Sequence, residues 1–407
     1  SSFLFGCKFM LADLLIYSWE NEELRKTIYE MMHFWFQKGI DGFRLDVINL
    51  ISKDQRFLDD DESLPLGDGR RFYTDGPRIH EFLQEMNREV FSKYDIMTVG
   101  EMSSTTIDHC IQYTNPARKE LNMTFNFHHL KVDYPNGEKW VAAPFDFLAL
   151  KRILSTWQVE MNKGGGWNAL FWCNHDQPRI VSRYGNDGAY HKESAKMLAT
   201  VIHMMQGTPY IYQGEEIGMT NPKFERIEEY RDVETLNMYK ILLEQGKTEA
   251  EVLEILKCKS RDNSRTPMQW DDSPHAGFTT GTPWIHVAPN FKEINVKKAL
   301  EDPTSIFYHY KRLIELRKNY DIITTGNYQL LLEDHPQIFA YVRNGDGEKL
   351  LVVANFFGGQ TKFVLPNELD INGYTSRILL SNYNDSSEHV QEIMLRPYEA
   401  IVYHLTK

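Results

Sequence analysis

The sequence predicts an α/β fold built from strand–helix units, followed by a separate antiparallel β-sandwich. In residues 1–325, apolar β-branched runs that end in a polar or charged residue alternate with segments of helical periodicity. From about residue 326, the strand–helix order gives way to short strands in which apolar and polar residues alternate. Asn-Gly and Gly-Gly turns separate these strands. Repeated strand–helix units form a parallel sheet or a barrel. Because this pattern ends near residue 326, we expect two domains, residues 1–325 and residues 326–407.

The predicted strands of the first domain all share the apolar, β-branched pattern. They cover residues 39–47, 96–101, 123–127, 169–176 and 208–214. Apolar residues at helical spacing predict helices at residues 24–37, 79–91 and 194–205. A polar insert at residues 220–303 follows, with helices at 230–245 and 248–257 and a loop at 260–270. An amphipathic helix at residues 305–317 then closes the domain.

The second domain is predicted from strands alone. Alternating apolar and polar residues predict six of them, at residues 329–332, 338–343, 349–356, 361–365, 377–380 and 400–405. Strands of this length, separated by tight turns, are typical of a small β-sandwich.

The composition argues against several classes of function. The 407 residues include 45 Lys and Arg against 57 Asp and Glu, and the net charge of −12 opposes binding to nucleic acid or anionic membranes. Four widely separated cysteines show neither a metal-binding spacing nor the density of a secreted scaffold. The apolar segment at residues 3–17 contains Lys8 and Asp13 and is too short to span a membrane. The cysteine usage favours a cytoplasmic protein. We also expect a monomer with no metal and no cofactor.

Three carboxylates lie at the ends of predicted strands: Asp46, Glu101 and Asp176. In a βα barrel, the carboxyl ends of the strands form the catalytic face. A retaining glycosidase needs one ionised carboxylate as nucleophile and a second as general acid, about 5 to 5.5 Å apart. Two inward-facing strand ends can supply such a pair. The alternative for each carboxylate is a helix cap or a loop ligand.

Neighbouring residues support distinct roles for these carboxylates. Arg44 lies two residues before Asp46, on the same side of the strand, and is predicted to hold that carboxylate ionised. The apolar approach to Glu101 is predicted to raise its pKa by desolvation. His175 is predicted to hydrogen-bond sugar hydroxyl groups. The alternatives are a structural ion pair for Arg44 and a buried, backbone-bonded ring for His175.

The motifs around these residues resemble those of the α-amylase clan of glycoside hydrolases, in its oligo-1,6-glucosidase-like branch. Residues 42–46, 99–101 and 174–179 match three of four signature segments, and residues 207–216 and 264–270 also match. The resemblance implies a TIM (β/α)8 barrel in which Asp46 is the nucleophile, Glu101 the general acid/base and Asp176 the stabiliser of the transition state. By the same resemblance, substrate contacts are expected from four basic residues and one histidine: Arg44, His175, Arg179, Arg261 and Arg265.

Residues 101–106, 123–140 and 167–175 resemble the members of this branch that cleave trehalose 6-phosphate to glucose and glucose 6-phosphate. The loop after the third predicted strand also concentrates basic residues, and a sugar phosphate needs such donors. They are His128, His129, Lys131 and Lys139. The alternative is a solvated loop with two surface lysines. Residues 164–167, Gly-Gly-Gly-Trp, precede a strand and are predicted to form a turn, not a phosphate site.

Two other functions fit parts of the sequence. An oligo-1,6-glucosidase or related exo-α-glucosidase would act on neutral oligosaccharides and would have no use for the lysines of this loop. A non-catalytic partner subunit of a membrane transporter would carry a spanning helix and lack the catalytic carboxylates. The presence of Asp46, Glu101 and Asp176 favours an enzyme.

The first strands of the implied barrel are missing from this sequence. The five predicted strands match the fourth to eighth of the family, and residues 1–18 depart from the family pattern. Five strands would leave two exposed parallel edges. We therefore expect a partial barrel, and weak or no activity from this chain by itself.

Overall fold

A computed structural model describes residues 19–56, 58–61 and 69–407. The apolar segment at residues 3–17, Cys7 and the atypical residues 1–18 lie outside the described residues. The chain divides into two compact units, which we describe separately. The first comprises residues up to 129 together with 156–169, and the second comprises residues 130–155 and 170–407.

The helices are numbered α1 to α11 along the described chain. They are α1 Glu22–Gln37, α2 Ile79–Glu89, α3 Ile107–Thr114, α4 Phe147–Lys163, α5 Ile180–Arg183, α6 His191–His203, α7 Val233–Glu244, α8 Glu249–Lys259, α9 Val296–Glu301, α10 Ile306–Asn319 and α11 Ile322–Thr325. The strands are β1 Gly42–Leu45, β2 Met97–Glu101, β3 Met123–Phe125, β4 Ala169–Leu170, β5 Thr208–Pro209, β6 Asn327–Leu331, β7 Ile338–Asn344, β8 Glu348–Asn355, β9 Thr361–Val364, β10 Thr375–Ser381, β11 Glu392–Leu395 and β12 Ala400–Thr406.

The first unit contains a parallel sheet in the order β1, β2, β3. A parallel bridge between Thr124 and Asn168 adds a further segment beside β3. Gly42 is required where β1 meets β2, because a Cβ atom there would lie 1.9 Å from the Met97 carbonyl oxygen. The predicted strands at 39–47, 96–101 and 123–127 therefore form the expected parallel arrangement.

The C-terminal part of the second unit is the expected antiparallel structure. Five strands pair in the order β10, β12, β8, β7, β6, and β9 pairs with β11. Phe363, Ile393 and Leu395 of the small pair share one buried apolar cluster with Ile338 and Ile401 of the large sheet. Two sheets that enclose one apolar core form a β-sandwich.

The structure differs from the sequence prediction in several elements. The strands predicted at 169–176 and 208–214 shorten to β4 and β5, since Asn174 Oδ1 accepts from Asp176 N (2.8 Å) in a local turn and Pro209 has no N–H to donate. Helices α3 and α4 and strand β11 were not predicted. Among the described residues, no helix is long and apolar enough to cross a membrane.

Glu215, in the segment after β5, is a buried carboxyl group. Glu215 is 7% exposed, and its Oε1 accepts a hydrogen bond from the Tyr310 hydroxyl at 2.7 Å. Burial raises the pKa of Glu215 to about 7. Its neutral form is therefore favoured in the folded chain.

We expect the Glu215→Gln variant to be more stable than the wild type at pH 8 and little changed near pH 4. Between the unfolded pKa of 4.5 and the folded pKa of about 7, only the unfolded chain releases the proton, so stability falls as the pH rises. The loss approaches roughly 3 kcal/mol above pH 7, and an amide cannot ionise. Urea unfolding at both pH values measures the difference, with the exposed Glu301→Gln as control. An equal effect at the two pH values would contradict the assignment.

Candidate active site

Asp46 and Glu101 lie at the carboxyl ends of two neighbouring parallel strands in the first unit. Arg44 pairs with Val99, and Leu45 with Gly100, in the register of β1 and β2. Continuing this register by one residue brings Asp46 level with Glu101. Because neighbouring strands are about 4.8 Å apart, this placement suits the carboxylate separation of a retaining glycosidase, about 5 to 5.5 Å.

Arg44 contacts both carboxylates. Its Nη1 atom donates to Asp46 Oδ1, and its Nη2 atom forms an ion pair with Glu101 Oε2. The three side chains are 26%, 27% and 14% exposed, respectively, so the group is accessible to a ligand while still partly desolvated. A guanidinium between two carboxylates fixes the orientation of both side chains. The predicted pair of Arg44 with Asp46 is present. The contact of Arg44 with Glu101 was not predicted, because the residues just before Glu101 in the sequence are apolar.

The loops that carry these carboxylates are fixed by Asn49. Its Nδ2 donates to the Ser103 carbonyl oxygen (2.8 Å), and its Oδ1 accepts from Ser103 N (2.9 Å), which joins the loop after β1 to the loop after β2. Val47, next to Asp46, has φ 37° and ψ 41°, a left-handed conformation that is strained for a β-branched residue. Such strain persists only where surrounding contacts enforce it, and it is common at functional sites.

The second unit holds Asp176 beside two arginines and a histidine. Arg265 Nη2 lies 2.5 Å from Asp176 Oδ1, Arg261 Nη1 lies 3.7 Å from the same atom, and His175 Nε2 lies 3.2 Å from Oδ2. Arg265 Nε also donates to the His175 carbonyl oxygen at 2.8 Å. The His175 side chain is 35% exposed, so it is not the buried, backbone-bonded ring of the alternative interpretation.

A carboxylate that the sequence analysis did not single out, Asp232, organises this network. It pairs with Arg261 Nη2 at 2.7 Å and with Arg265 Nη1 at 3.3 Å, and its side chain is 2% exposed. Although burial opposes ionisation, hydrogen bonds from Arg261 and Thr235 hold the pKa of Asp232 below its usual value. Asp232 is also the N-cap of α7, which begins three residues later than the predicted helix at 230–245. An Asp near the start of a predicted helix is the sequence signal that could have identified it.

Arg179 requires a correction. The sequence analysis placed it among the substrate-binding residues, but it is 2% exposed. Its Nη1 donates to the Gln213 carbonyl oxygen (2.5 Å) and its Nη2 to the Ser264 carbonyl oxygen (3.2 Å). Backbone carbonyl oxygens thus accept from two of the three guanidinium nitrogens, and the buried Nε has no hydrogen-bond partner among the described residues. Arg179 therefore fixes two loops in the interior and is not available to a ligand.

The four basic residues of the predicted phosphate loop differ in exposure. His129 is 5% exposed, and the His128 ring lies 5.2 Å from the Trp157 ring between centroids. Lys131 is exposed. Lys139 Nζ lies 2.7 and 2.8 Å from the two carboxylate oxygens of Glu234. The burial of His129 disfavours the predicted contact with a substrate phosphate.

The glycine-rich segment at residues 164–167 forms the predicted turn. Gly165 has φ +70°, a left-handed conformation that glycine adopts readily. Asn115 Nδ2 donates to the Gly164 carbonyl oxygen at 2.9 Å, and Trp167 N donates to Thr114 Oγ1 at 3.0 Å. These contacts tie the turn to the end of α3. Among the described residues, no group of three or more His, Cys, Asp or Glu side chains is arranged to hold a metal ion.

Comparison with known families gives two matches. Residues 3–326 match the model of the alpha amylase catalytic domain, and residues 338–402 match that of the alpha-amylase SusG C-terminal domain. The chain is 66% identical to trehalose-6-phosphate hydrolase of Bacillus subtilis (strain 168), over 96% of this chain and 69% of that protein. It is 56% identical to oligo-1,6-glucosidase of Parageobacillus thermoglucosidasius, over 95% of this chain and 69% of that protein.

A solved structure is similar throughout the matched region. The crystal structure of Bacillus licheniformis trehalose-6-phosphate hydrolase superposes with a TM-score of 0.93 and 71% sequence identity. The match covers 96% of this chain and 69% of that one.

Proposed function

Since the chain belongs to the α-amylase family of glycoside hydrolases, we propose that it hydrolyses trehalose 6-phosphate to glucose and glucose 6-phosphate. The observation that carries the chemistry is the placement of Asp46 and Glu101 at adjacent parallel strand ends, joined by Arg44. The choice of substrate is supported by identities of 66% and 71% to two trehalose-6-phosphate hydrolases. The chain is an enzyme of carbohydrate metabolism that retains the configuration of the glucosyl group.

The proposed reaction has two steps. Asp46 attacks the anomeric carbon of the non-phosphorylated glucose as Glu101 protonates the glycosidic oxygen, and glucose 6-phosphate leaves. Glu101 then removes a proton from water, which attacks the glucosyl–Asp46 ester and releases glucose. Asp176 stabilises the positive charge that develops on the sugar ring, a role we assign from its sequence motif. His175 and Arg44 are assigned to sugar binding from their sequence motifs.

Lys131 and Lys139 are proposed to bind the 6-phosphate of the leaving sugar. Replacing both with Ala should raise KM for trehalose 6-phosphate by about tenfold or more, because charge-assisted hydrogen bonds to the phosphate are lost. KM for p-nitrophenyl α-glucoside should not change, since that substrate has no phosphate. Steady-state kinetics on both substrates measure the difference, with Lys163→Ala, an exposed lysine paired with Glu160, as control. An equal rise for both substrates would argue against a phosphate site at these lysines.

Oligo-1,6-glucosidase activity is the second candidate function. It is favoured by the 56% identity to such an enzyme, which slightly exceeds the 54% identity to trehalose-6-phosphate hydrolase of Escherichia coli (strain K12). Identity in this range does not separate the two substrates. Glucose release from trehalose 6-phosphate and from isomaltose, measured side by side, does. Preference for isomaltose would establish the neutral-sugar function instead.

We further propose that residues up to 325 supply the fourth to eighth strands of a (β/α)8 barrel and that residues 326–407 form a separate domain. Support comes from the parallel order of β1, β2 and β3 and from the 69% of each relative that the alignment covers. We also propose that the protein is cytoplasmic, because a charged sugar phosphate does not cross lipid unaided. A monomer is proposed as well.

A further inference from the structure

Glu234 connects the proposed phosphate loop to the network around Asp176. Both of its carboxylate oxygens accept from Lys139 Nζ, at 2.7 and 2.8 Å, and Oε2 lies 3.2 Å from Arg261 Nε. The side chains of Lys139, Glu234 and Arg261 are 24%, 35% and 29% exposed. A carboxylate therefore already lies against two cations that a phosphate would need.

The charges of this network are balanced without a ligand. It contains three cations, Lys139, Arg261 and Arg265, and three carboxylates, Asp176, Asp232 and Glu234. Each cation contacts at least one of these carboxylates. A phosphate dianion that approaches Lys139 consequently meets a neutralised lysine and the repulsion of Glu234.

Of the three carboxylates, Glu234 is the one that can move away. Asp232 is 2% exposed at its side chain and also accepts from Thr235 N at 3.0 Å and from Thr235 Oγ1 at 2.9 Å. Asp176 is held by Arg265 at 2.5 Å. Glu234 lies in the first turn of α7 and is 35% exposed, so a change of rotamer can place its carboxylate in solvent.

We propose that Glu234 occupies the position of the substrate's phosphate beside Lys139 and is displaced when a phosphorylated sugar binds. This inference rests on the proposed function and makes Glu234 a specificity-determining residue. In the free enzyme, the carboxylate keeps Lys139 ordered. A dianionic phosphate can replace it, because it offers a greater charge and more acceptor oxygens than a carboxylate.

The test is the affinity of the Glu234→Gln variant for glucose 6-phosphate, measured by calorimetry. Removing the competing charge should tighten binding by about threefold to fivefold, the range expected for a partly exposed ion pair. KM for trehalose 6-phosphate should fall by a similar factor, whereas KM for p-nitrophenyl α-glucoside should stay constant. Glu254→Gln is the matched control, because Glu254 pairs with Lys257 at 2.8 Å on the neighbouring helix α8.

The outcomes separate this inference from the proposed function. Weaker binding of glucose 6-phosphate by Glu234→Gln would overturn the inference and make Glu234 a residue that positions Lys139 for phosphate. Unchanged binding, or equal changes for phosphorylated and unphosphorylated sugars, would overturn it as well. A wild-type enzyme that binds glucose 6-phosphate and cleaves p-nitrophenyl α-glucoside but releases no glucose from trehalose 6-phosphate would contradict the proposed function alone.

Discussion

The Asp46→Asn variant should lose turnover by about 10⁴-fold or more, because an amide cannot form the covalent glucosyl ester. The substitution preserves the shape of the side chain, and Arg44 retains its contact with Glu101. The effect should therefore fall on kcat for every α-glucoside, phosphorylated or not. Initial rates on trehalose 6-phosphate and p-nitrophenyl α-glucoside measure it.

A matched Asp-to-Asn change controls for the loss of a surface charge. Asp272 is 56% exposed at its side chain and pairs with Lys297 at 3.4 Å, so Asp272→Asn should keep the wild-type rate. Thermal unfolding of both variants checks that each still folds. Turnover of Asp46→Asn within tenfold of the wild type would show that Asp46 is not the nucleophile.

The Glu101→Gln variant should lose activity according to the leaving group. For trehalose 6-phosphate, loss of the proton donor should lower kcat by about 10²- to 10⁴-fold, because the sugar oxygen leaves poorly without a proton. For p-nitrophenyl α-glucoside, the first step needs no acid, so the glucosyl enzyme should accumulate and produce a burst of nitrophenol. Rapid-mixing kinetics on the two substrates measure this contrast.

Azide gives a second, independent readout for Glu101. Azide needs no general base, so it should attack the accumulated glucosyl–Asp46 ester and restore turnover of p-nitrophenyl α-glucoside in Glu101→Gln. The same addition should not restore Asp46→Asn, which forms no such ester. Equal losses on both substrates, with no rescue by azide, would assign Glu101 a positioning role through Arg44 instead.

Local sequence patterns determined where the candidate catalytic groups lie along the chain. The apolar runs before Asp46 and Glu101 predict strands, and parallel pairing brings successive strand ends to one edge. The C-terminal sandwich also followed from alternation and turn residues, because these patterns act between residues close in sequence. The sequence overestimates the lengths of β4 and β5, since local turns and Pro209 end these strands early.

The charge environment of those groups was decided only by the tertiary structure. Arg44 was expected to pair with Asp46, yet it also contacts Glu101, 57 residues along the chain from it. The sequence predicts Lys139 as a donor to a phosphate, yet in the structure it pairs with Glu234, which is 95 residues away in sequence. Periodicity identifies which face of an element is buried, but an ion pair depends on which distant side chains the fold places within a few ångströms. For this reason the sequence predicted the reaction, whereas the ion pairs of Arg44 and Lys139 became visible only in three dimensions.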